Sequence, residues 1–399
     1  MTTQLYSSLT APSVNWRLLK SASQPTRVGI LSPGYNMARV SYIIPSESHQ
    51  YTTLKRVPFH RLERRGSFLD NTALFLNPSV DLVHTFNMLP VNGPRFVTSF
   101  ELEMPRYLES ARLWQYRFGN RLMASDRCRG LLALSQIAGK LLKQQFCSLG
   151  MEEVARKIRV FRGAVLPSSS PEYEKTVPSS GPIKLLFVGG QAFRKGLIPT
   201  FKAVERLRHG GIEVELTVVS TLAPDEYVTT SYLESTIEDW RRTLTETDWV
   251  TYHPALPNLV VRQLMRQHAL LVFPSYDESL GWTVVEAGME GTATIGTRMF
   301  AFPEMIDDGK TGRLIPLPLS EQSRWRGLDL DEDSREQARL ADDLLIEQGL
   351  VEAIEKVALD RTLIHQWGQA AYRKMRSTYS PTVASQALSS IYAEALKDT

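Results

Sequence analysis

The sequence predicts an α/β protein built from two doubly wound domains that face each other across a cleft. Its 399 residues exceed the roughly 100–200 residues of one domain. Short apolar runs alternate with amphipathic stretches in both halves, as in parallel sheets wrapped by helices. Between the halves, residues 167–182 are rich in Pro, Ser and Gly, which favours an exposed linker.

Strands and helices can be assigned along both domains. In the N-terminal domain, residues 1–170, we predict strands at 27–31, 82–84, 96–100, 131–135 and 158–161 and helices at 107–125 and 136–146. In the C-terminal domain, residues 171–380, we predict strands at 184–188, 213–219, 249–252, 270–273 and 293–296 and helices at 198–208, 231–243, 257–267 and 283–290. The acidic stretch 320–343 is interpreted as an exposed insertion, and 381–396 as an amphipathic helix.

Composition excludes several classes of protein. Apolar residues make up 43% of the chain and charged residues 22%, as in ordinary globular proteins. Cys128 and Cys147 are too few for a disulfide scaffold, and no Cys/His cluster lies nearby for zinc. The polar N-terminus lacks a secretory pattern, and no run approaches the ~18 apolar residues of a membrane span. We therefore expect a cytoplasmic protein.

Charge is distributed unevenly along the chain. Residues 1–165 hold 22 Lys+Arg and 10 Asp+Glu, whereas the remainder holds 24 and 33. A basic first half suggests an anionic partner, such as an acidic or lipid-linked acceptor or peripheral contact with the inner face of a membrane. An unevenly charged solvated surface is the alternative. No aromatic-plus-basic stacking strip occurs, so we predict no nucleic-acid binding. The basic residues cluster at Lys55, Arg56, Arg61, Arg64 and Arg65 and at Arg117, Arg121, Arg127 and Arg129.

A glycine-rich turn follows the predicted strand 184–188. Gly189 and Gly190 allow the backbone to approach a ligand closely, and Arg194 and Lys195 add two cations at the start of the next helix. Together these residues can form a clamp for a diphosphate. Taken alone, a Gly-Gly turn with solvated basic side chains is the commoner explanation.

A stronger pattern follows the predicted strand 270–273. Ser279 and Gly281 suit the start of a helix, where free N–H groups and the helix dipole bind phosphate. Glu286 lies about 7.5 Å further along the helix axis and leans back toward that end, within reach of a ribose. Glu278 precedes the helix and projects beyond the phosphates, toward a sugar. One carboxylate for the ribose and one for the sugar fits a nucleotide-sugar site, although isolated glutamates are more often surface residues.

These motifs resemble those of the retaining family-four glycosyltransferases. FVGGQAFRKGL and then FPSYDESLGWTVVEAGMEGTATIGT, with a Glu-x7-Glu pair at Glu278 and Glu286, match the order of the family's motifs over most of residues 184–316. A PE motif at Glu304 and the glycines after it continue the match. The resemblance implies the GT-B fold: two Rossmann-like domains across a cleft, with the C-terminal segment 381–399 packing back on the N-terminal domain.

The resemblance also implies roles for individual residues, with neither a metal nor a cofactor besides the donor. Glu278 would hold hydroxyls of the donor sugar, and His84, taken as a strand end, would face that sugar. Arg194 and Lys195 would hold the diphosphate. Together with Glu278 and His84 they would be the catalytic residues. The nucleotide sugar would be bound by Gly34, Gly189, Gly190, Arg194, Lys195, Ser279, Leu280, Gly281 and Glu286.

We therefore predict a retaining enzyme that moves a sugar from a UDP- or GDP-linked donor to a hydroxyl acceptor, in the synthesis of a polysaccharide, lipid-linked glycan or glycoconjugate. Glu101, Glu103 and Arg106 follow a predicted strand and are candidates for acceptor contacts, and Ser135 is a candidate for lining the cleft. Three alternatives stay open: a sugar-nucleotide epimerase, a phosphorylase, or a non-catalytic assembly subunit that kept the fold. The intact basic and acidic pairs favour an enzyme.

Overall fold

Two six-stranded parallel sheets organise the chain into two α/β domains. The structure is a computed structural model that describes residues 25–31, 43–44, 46–58, 67–107, 111–166, 173, 175, 180–225, 227–228 and 234–397. The predicted fold class is confirmed. Most of the predicted linker, 167–182, lies outside the described residues.

The N-terminal domain contains one large parallel sheet and a short two-stranded one. Its strands are β1 (Thr26–Ile30), β2 (His49–Thr53), β3 (Thr72–Ala73), β4 (Leu82–Phe86), β5 (Leu89–Pro90), β6 (Phe96–Phe100), β7 (Cys128–Ala133) and β8 (Ile158–Val160). The large sheet has the order β2-β1-β4-β6-β7-β8, and β3 pairs with β5. The described residues of this domain also form the helices α1 (Leu113–Ala124), α2 (Gln136–Ser148) and α3 (Glu152–Arg156).

The C-terminal domain repeats this architecture. Its strands are β9 (Ile183–Val188), β10 (Val214–Val219), β11 (Val250–His253), β12 (Leu270–Phe273), β13 (Ala293–Thr297) and β14 (Gly312–Ile315). They form a sheet in the order β11-β10-β9-β12-β13-β14. The helices are α4 (Leu197–His209), α5 (Glu234–Glu246), α6 (Asn258–Gln267), α7 (Trp282–Met289), α8 (Phe302–Met305), α9 (Glu332–Leu359) and α10 (Thr362–Tyr379), with a 3-10 turn at Arg326–Asp329.

The last helix, α11 (Pro381–Leu396), returns to the N-terminal domain. Its apolar face, with Leu388 and Tyr392, packs in one core cluster with Val28 of β1 and Leu132 of β7. Ser380 caps the helix by accepting a hydrogen bond from the N–H of Val383, and Pro381 follows at the first turn. Among the described residues, no helix combines the length and the apolar character needed to cross a bilayer.

The interpretation of residues 320–343 as an exposed insertion holds only in part: Glu321, Arg326 and Leu340 are exposed, but other residues of the stretch belong to the interior of the domain. Trp325 is fully buried, and Arg339, Asp342 and Asp343 at the start of helix α9 are buried as well. Arg339 donates to Asp343 at 2.6 Å, so the charges of this stretch neutralise one another inside the domain. The many charged residues of this stretch suggested that it is exposed, because composition does not reveal which charges pair inside the protein.

Candidate active site

The candidate site lies where the strand order of the C-terminal sheet reverses. Strands β10 and β11 lie on one side of β9, and β12, β13 and β14 on the other. The turns after β9 and β12, both identified in the sequence, therefore lie side by side, as at the ligand crevice of open α/β sheets. A cavity of about 680 Å³ opens there; it is lined by Val188, Gly189, Gly190, Gln191, Lys195, Val219, Ser220, Thr221, Pro254, Ala255, Leu256, Asn258, Val261, Trp282, Thr283 and Glu286.

Gly189 and Gly190, in the turn after β9, have different structural roles. A Cβ at Gly189 would overlap the methylenes of Lys195, so this glycine makes room for the lysine side chain. The carbonyl of Gly190 accepts hydrogen bonds from Thr221 Oγ1 at 3.2 Å and from the N–H of Ala223 at 2.9 Å, which fixes the floor of the cavity. Both residues line the cavity, and their contact with a nucleotide stays a prediction.

Lys195, Arg194 and Glu278 form a compact ion cluster at the edge of this cavity. Oε1 of Glu278 accepts from Nζ of Lys195 and lies 3.4 Å from Nη1 of Arg194. The ammonium of Lys195 also lies 4.6 Å from the centroid of the Phe273 ring. Burial lowers the pKa of Lys195, and the neighbouring Glu278 carboxylate opposes that shift. In this state, Glu278 is the counter-ion of the two predicted diphosphate-binding cations.

Arg194 is directed into the protein. Its Nε and Nη2 donate to Oε1 of Gln191 at 3.1 and 3.0 Å, and its Nη1 donates to the carbonyl of Asp277. The residue is only 8% exposed. Arg194 therefore orients the loop that carries Glu278, and its contact with the diphosphate stays a prediction.

Helix α7 begins at the cavity with its N-terminus toward the predicted phosphates. Gly281, its N-cap residue, has φ +86°, and a Cβ there would collide with Phe302. The N–H groups of Trp282 and Thr283 open the helix without intrahelical acceptors, and both residues line the cavity. Ser279, Leu280 and Gly281 are not among the residues that line the cavity, and their contact with the phosphates stays a prediction.

Glu286 lies one turn into helix α7 and lines the same cavity. Its Oε1 accepts from Nδ2 of Asn258 at 3.0 Å. Asn258 is the first residue of helix α6 and also lines the cavity, so it positions the carboxylate proposed for the ribose. No local pattern in the sequence indicates this partner, because Asn258 lies 28 residues from Glu286 in the chain.

The expectation that His84 faces the donor sugar is wrong. Strand β4 continues to Phe86, so His84 lies mid-strand and is fully buried. Its Nδ1 pairs with Tyr392 OH at 2.7 Å and its Nε2 with Ser99 Oγ at 2.8 Å. Burial holds the pKa of His84 well below its ordinary value. His84 instead joins helix α11 to the N-terminal sheet.

The other candidate residues of the N-terminal domain differ in exposure and in their hydrogen-bond partners. Arg106 pairs with Glu101 at 2.8 Å, while Glu103 is exposed. Ser135 is buried and caps helix α2, where its Oγ accepts from the N–H of Ala138 at 3.2 Å. Gly34 lies outside the described residues, so its role stays a prediction.

Glu304 of the PE motif links the two domains. Its carboxylate accepts from the N–H groups of Gln136 and Ile137, both at 2.9 Å, and Arg162 lies 3.4 Å away. A carboxylate of the C-terminal domain thus caps helix α2 of the N-terminal domain, where the helix dipole favours negative charge. The sequence showed this motif but not its partner.

The described residues contain no group of three or more His, Cys, Asp or Glu side chains placed to hold a metal ion. Lys195 and the start of helix α7 lie at the cavity.

Two facing parallel-sheet domains with this crevice define the GT-B class of fold, and solved structures agree. Sucrose-phosphate synthase from Thermosynechococcus elongatus has a TM-score of 0.59 at 12% identity, covering 92% of this chain and 98% of that one. Anabaena HepE, solved with UDP and glucose, has a TM-score of 0.53 at 13% identity, covering 92% and 91%. At these identities the likeness shows the fold.

The sequence comparisons confirm the resemblance over the C-terminal domain. Residues 182–322 match the family model "Glycosyl transferases group 1". A D-inositol 3-phosphate glycosyltransferase of Arthrobacter sp. is 26% identical over 239 residues, 59% of this chain and 53% of the relative. An alpha-maltose-1-phosphate synthase of Mycolicibacterium smegmatis is 29% identical over 149 residues, 37% of each chain. The chain thus spans about half or less of the length of these relatives.

Proposed function

We propose that this protein transfers a sugar from a nucleoside diphosphate sugar to a hydroxyl acceptor, with retention of configuration at the sugar. The observation that carries the proposal is the cavity between Gly189 and helix α7. It places Glu286 on one side and Lys195, paired with Glu278, at its edge. Its volume of about 680 Å³ lies within the range of small-ligand sites.

The chain's own residues supply binding and charge stabilisation. Glu286, oriented by Asn258, accepts hydrogen bonds from the ribose hydroxyls, and the N-terminus of helix α7 faces the phosphates. Lys195 stabilises the negative charge that grows on the diphosphate as the glycosidic bond breaks. Glu278 leaves its pairing with Lys195 and accepts hydroxyls of the donor sugar.

The transfer needs no nucleophile from the protein. The acceptor oxygen attacks the anomeric carbon on the face from which the nucleotide leaves, and the departing phosphate oxygen takes the proton of the acceptor hydroxyl. One C–O bond breaks and one forms, so the protein's contribution is to orient the two substrates and exclude water.

Mass spectrometry of products tests this function. Wild-type protein is offered a panel of UDP- and GDP-sugars with sugar, lipid-phosphate and polyol acceptors, and Glu278→Gln serves as the control. Transfer that depends on Glu278 is the expected result. Isomerised nucleotide sugar without an acceptor would indicate an epimerase, and turnover only with inorganic phosphate would indicate a phosphorylase. Nucleotide binding without turnover would indicate a non-catalytic assembly subunit that kept the fold.

We further propose that the acceptor is presented at an anionic membrane surface, which helix α1 would contact. Leu113, Trp114 and Tyr116 on this helix are 66%, 54% and 37% exposed, and Arg117 and Arg121 are exposed beside them. Exposed aromatic and aliphatic side chains among arginines are typical of helices that lie in a lipid interface.

The remaining predicted basic residues contribute less to such a surface. Arg127 donates to the carbonyls of Val91 and Gly93, and Arg129 donates to that of Lys397. Arg56 donates to the carbonyl of Asp70. These guanidinium groups therefore stabilise the N-terminal domain itself. Arg61, Arg64 and Arg65 lie outside the described residues.

Vesicle sedimentation tests the membrane proposal. Binding to vesicles of anionic lipid should exceed binding to neutral vesicles and should fall with added salt. Trp114→Ala and Arg117→Glu should each weaken it, whereas Leu340→Ala, at an exposed leucine of the C-terminal domain, should not. Equal binding to neutral and anionic vesicles, or none to either, would contradict the proposal and leave an unevenly charged solvated surface.

A further inference from the structure

The loop that carries Glu278 is held from behind by a segment distant in sequence. Residues 275–278 are called the donor loop here, and residues 324–343, which include the 3-10 turn and the first turns of helix α9, are called the brace. The brace contacts the donor loop at two points, Asp277 and Tyr276. Trp325, Arg339, Asp342 and Asp343 of the brace are buried, so its contacts with the donor loop lie inside the domain.

The first contact joins Asp277 to Arg324. Nε and Nη2 of Arg324 donate to the two carboxylate oxygens of Asp277 at 2.9 and 2.7 Å, forming a bidentate pair. Tyr227 OH donates to the same carboxylate at 3.2 Å. The carbonyl of Asp277 accepts from Nη1 of Arg194. Asp277 is therefore held through its side chain by one arginine and through its main chain by another.

The second contact holds Tyr276. Its ring lies 4.9 Å from the Trp325 ring, and its OH donates to Oδ1 of Asp343 at 2.5 Å. Arg339 donates to the other oxygen of Asp343 at 2.6 Å, and Nε1 of Trp325 donates to Asp342 at 2.7 Å. A buried polar network of this kind favours one arrangement of its members.

We propose that Arg324 is a positioning residue for the reaction: through Asp277 it orients the main chain at Glu278, so that the Glu278 carboxylate faces Lys195 and the donor sugar. The inference rests on the proposed function of Glu278. The Tyr276–Trp325 contact is enough to hold the donor loop in place. The planar guanidinium of Arg324, which binds both oxygens of Asp277, additionally fixes the orientation of the main chain at Glu278.

The burial of the pair supports a positioning role. The side chains of Asp277 and Arg324 are 6% and 32% exposed, so the carboxylate is buried while the guanidinium reaches solvent. Burial lowers the pKa of Arg324, but the hydrogen bond and the charge of Asp277 outweigh it and raise that pKa above its ordinary value.

Hydrogen exchange measures the positioning without depending on turnover. The variants are Arg324→Gln, Arg324→Lys and Asp277→Asn, with Arg326→Gln as the matched control. Arg326 is exposed, lies two residues along the same segment, and loses the same charge. Backbone amides of residues 275–281 should exchange roughly tenfold faster in Arg324→Gln and Asp277→Asn than in wild type or the control. Unchanged exchange at these amides in Arg324→Gln overturns the proposal, even if no donor is ever found.

Kinetic measurements with the donor that the product screen identifies separate positioning from stability. In Arg324→Gln, kcat should fall roughly tenfold to a hundredfold, while KM for the donor and the melting temperature change little. Adding Asp277→Asn to Arg324→Gln should cause little further loss, because the two residues act as one unit. Arg324→Lys should recover little activity, since an ammonium cannot form the fork.

Two results would overturn the positioning role. Additive losses in the double variant would show that the two residues act separately. A loss of kcat that tracks the melting temperature across all variants would show that the brace only stabilises the domain. Wild-type protein without turnover on any donor would instead contradict the proposed function, and hydrogen exchange would then decide the inference alone.

Discussion

Replacing Glu278 by glutamine tests the ion cluster at the edge of the cavity. The Glu278 carboxylate contacts Nζ of Lys195 and lies 3.4 Å from Nη1 of Arg194. A diphosphate that approaches these cations therefore meets a carboxylate with the same sign of charge as its own. Glutamine removes that charge and keeps the shape of the side chain, so free nucleoside diphosphate should bind more tightly to Glu278→Gln than to wild type.

The size of the effect follows from the geometry. Two like charges about 5 Å apart repel by about 3 kcal/mol at an effective dielectric constant of ~20. The three side chains are 9–13% exposed, so solvent screens the repulsion only in part. Screening and movement of Glu278 should leave about 1–2 kcal/mol, which corresponds to roughly five- to thirtyfold tighter binding. Turnover should fall, because the donor sugar loses a charged hydrogen-bond acceptor.

Calorimetry with UDP and GDP measures this change, and Glu286→Gln is the matched control. The same substitution at Glu286 removes the charge of the ribose acceptor and replaces one of its two accepting oxygens with an NH2 group. Hydrogen bonds to a charged acceptor are worth about 1.5–3 kcal/mol, so binding should weaken by roughly tenfold or more. The two variants should thus shift affinity in opposite directions. If Glu278→Gln binds both nucleotides no more tightly than wild type while Glu286→Gln is weakened, the counter-ion role of Glu278 is refuted.

Three further outcomes are expected. Activity should survive EDTA, because Lys195 and the start of helix α7 neutralise the leaving diphosphate; loss with rescue by Mg²⁺ would contradict this. Burial lowers the pKa of His268 to about 4 from its ordinary 6.5, so the unfolded chain takes up this proton first and stability falls as pH drops from 6.5 to 4. In urea titrations, the free energy of unfolding of wild type should fall between pH 7 and 4.5 by about 2 kcal/mol more than that of His268→Gln. An equal fall in the two proteins would exclude this role of His268. Glu304→Ala should loosen the two domains and raise the radius of gyration in solution scattering; an unchanged radius would mean that other contacts hold them.

Local signals in the sequence determined the elements and the donor-side motifs. The predicted strands 96–100 and 270–273 and the helix 381–396 match the structure residue for residue. Apolar alternation, a proline after a serine cap and glycines at strand ends act over a few residues, so they can be read along the chain. The same signals located the turn at Gly189 and the start of helix α7, which the structure brings together at one cavity.

Only the tertiary structure decided the partners of the charged and polar side chains. Arg324 meets Asp277 across 47 residues, Glu304 meets Gln136 across 168, and His84 meets Tyr392 across 308. An arginine in an acidic stretch and a histidine in an apolar strand look alike in sequence whether they face solvent, a ligand or a buried partner. Their roles depend on which distant segments the fold places within about 3 Å of them, because a hydrogen bond or ion pair is decided by distance and burial rather than by position along the chain.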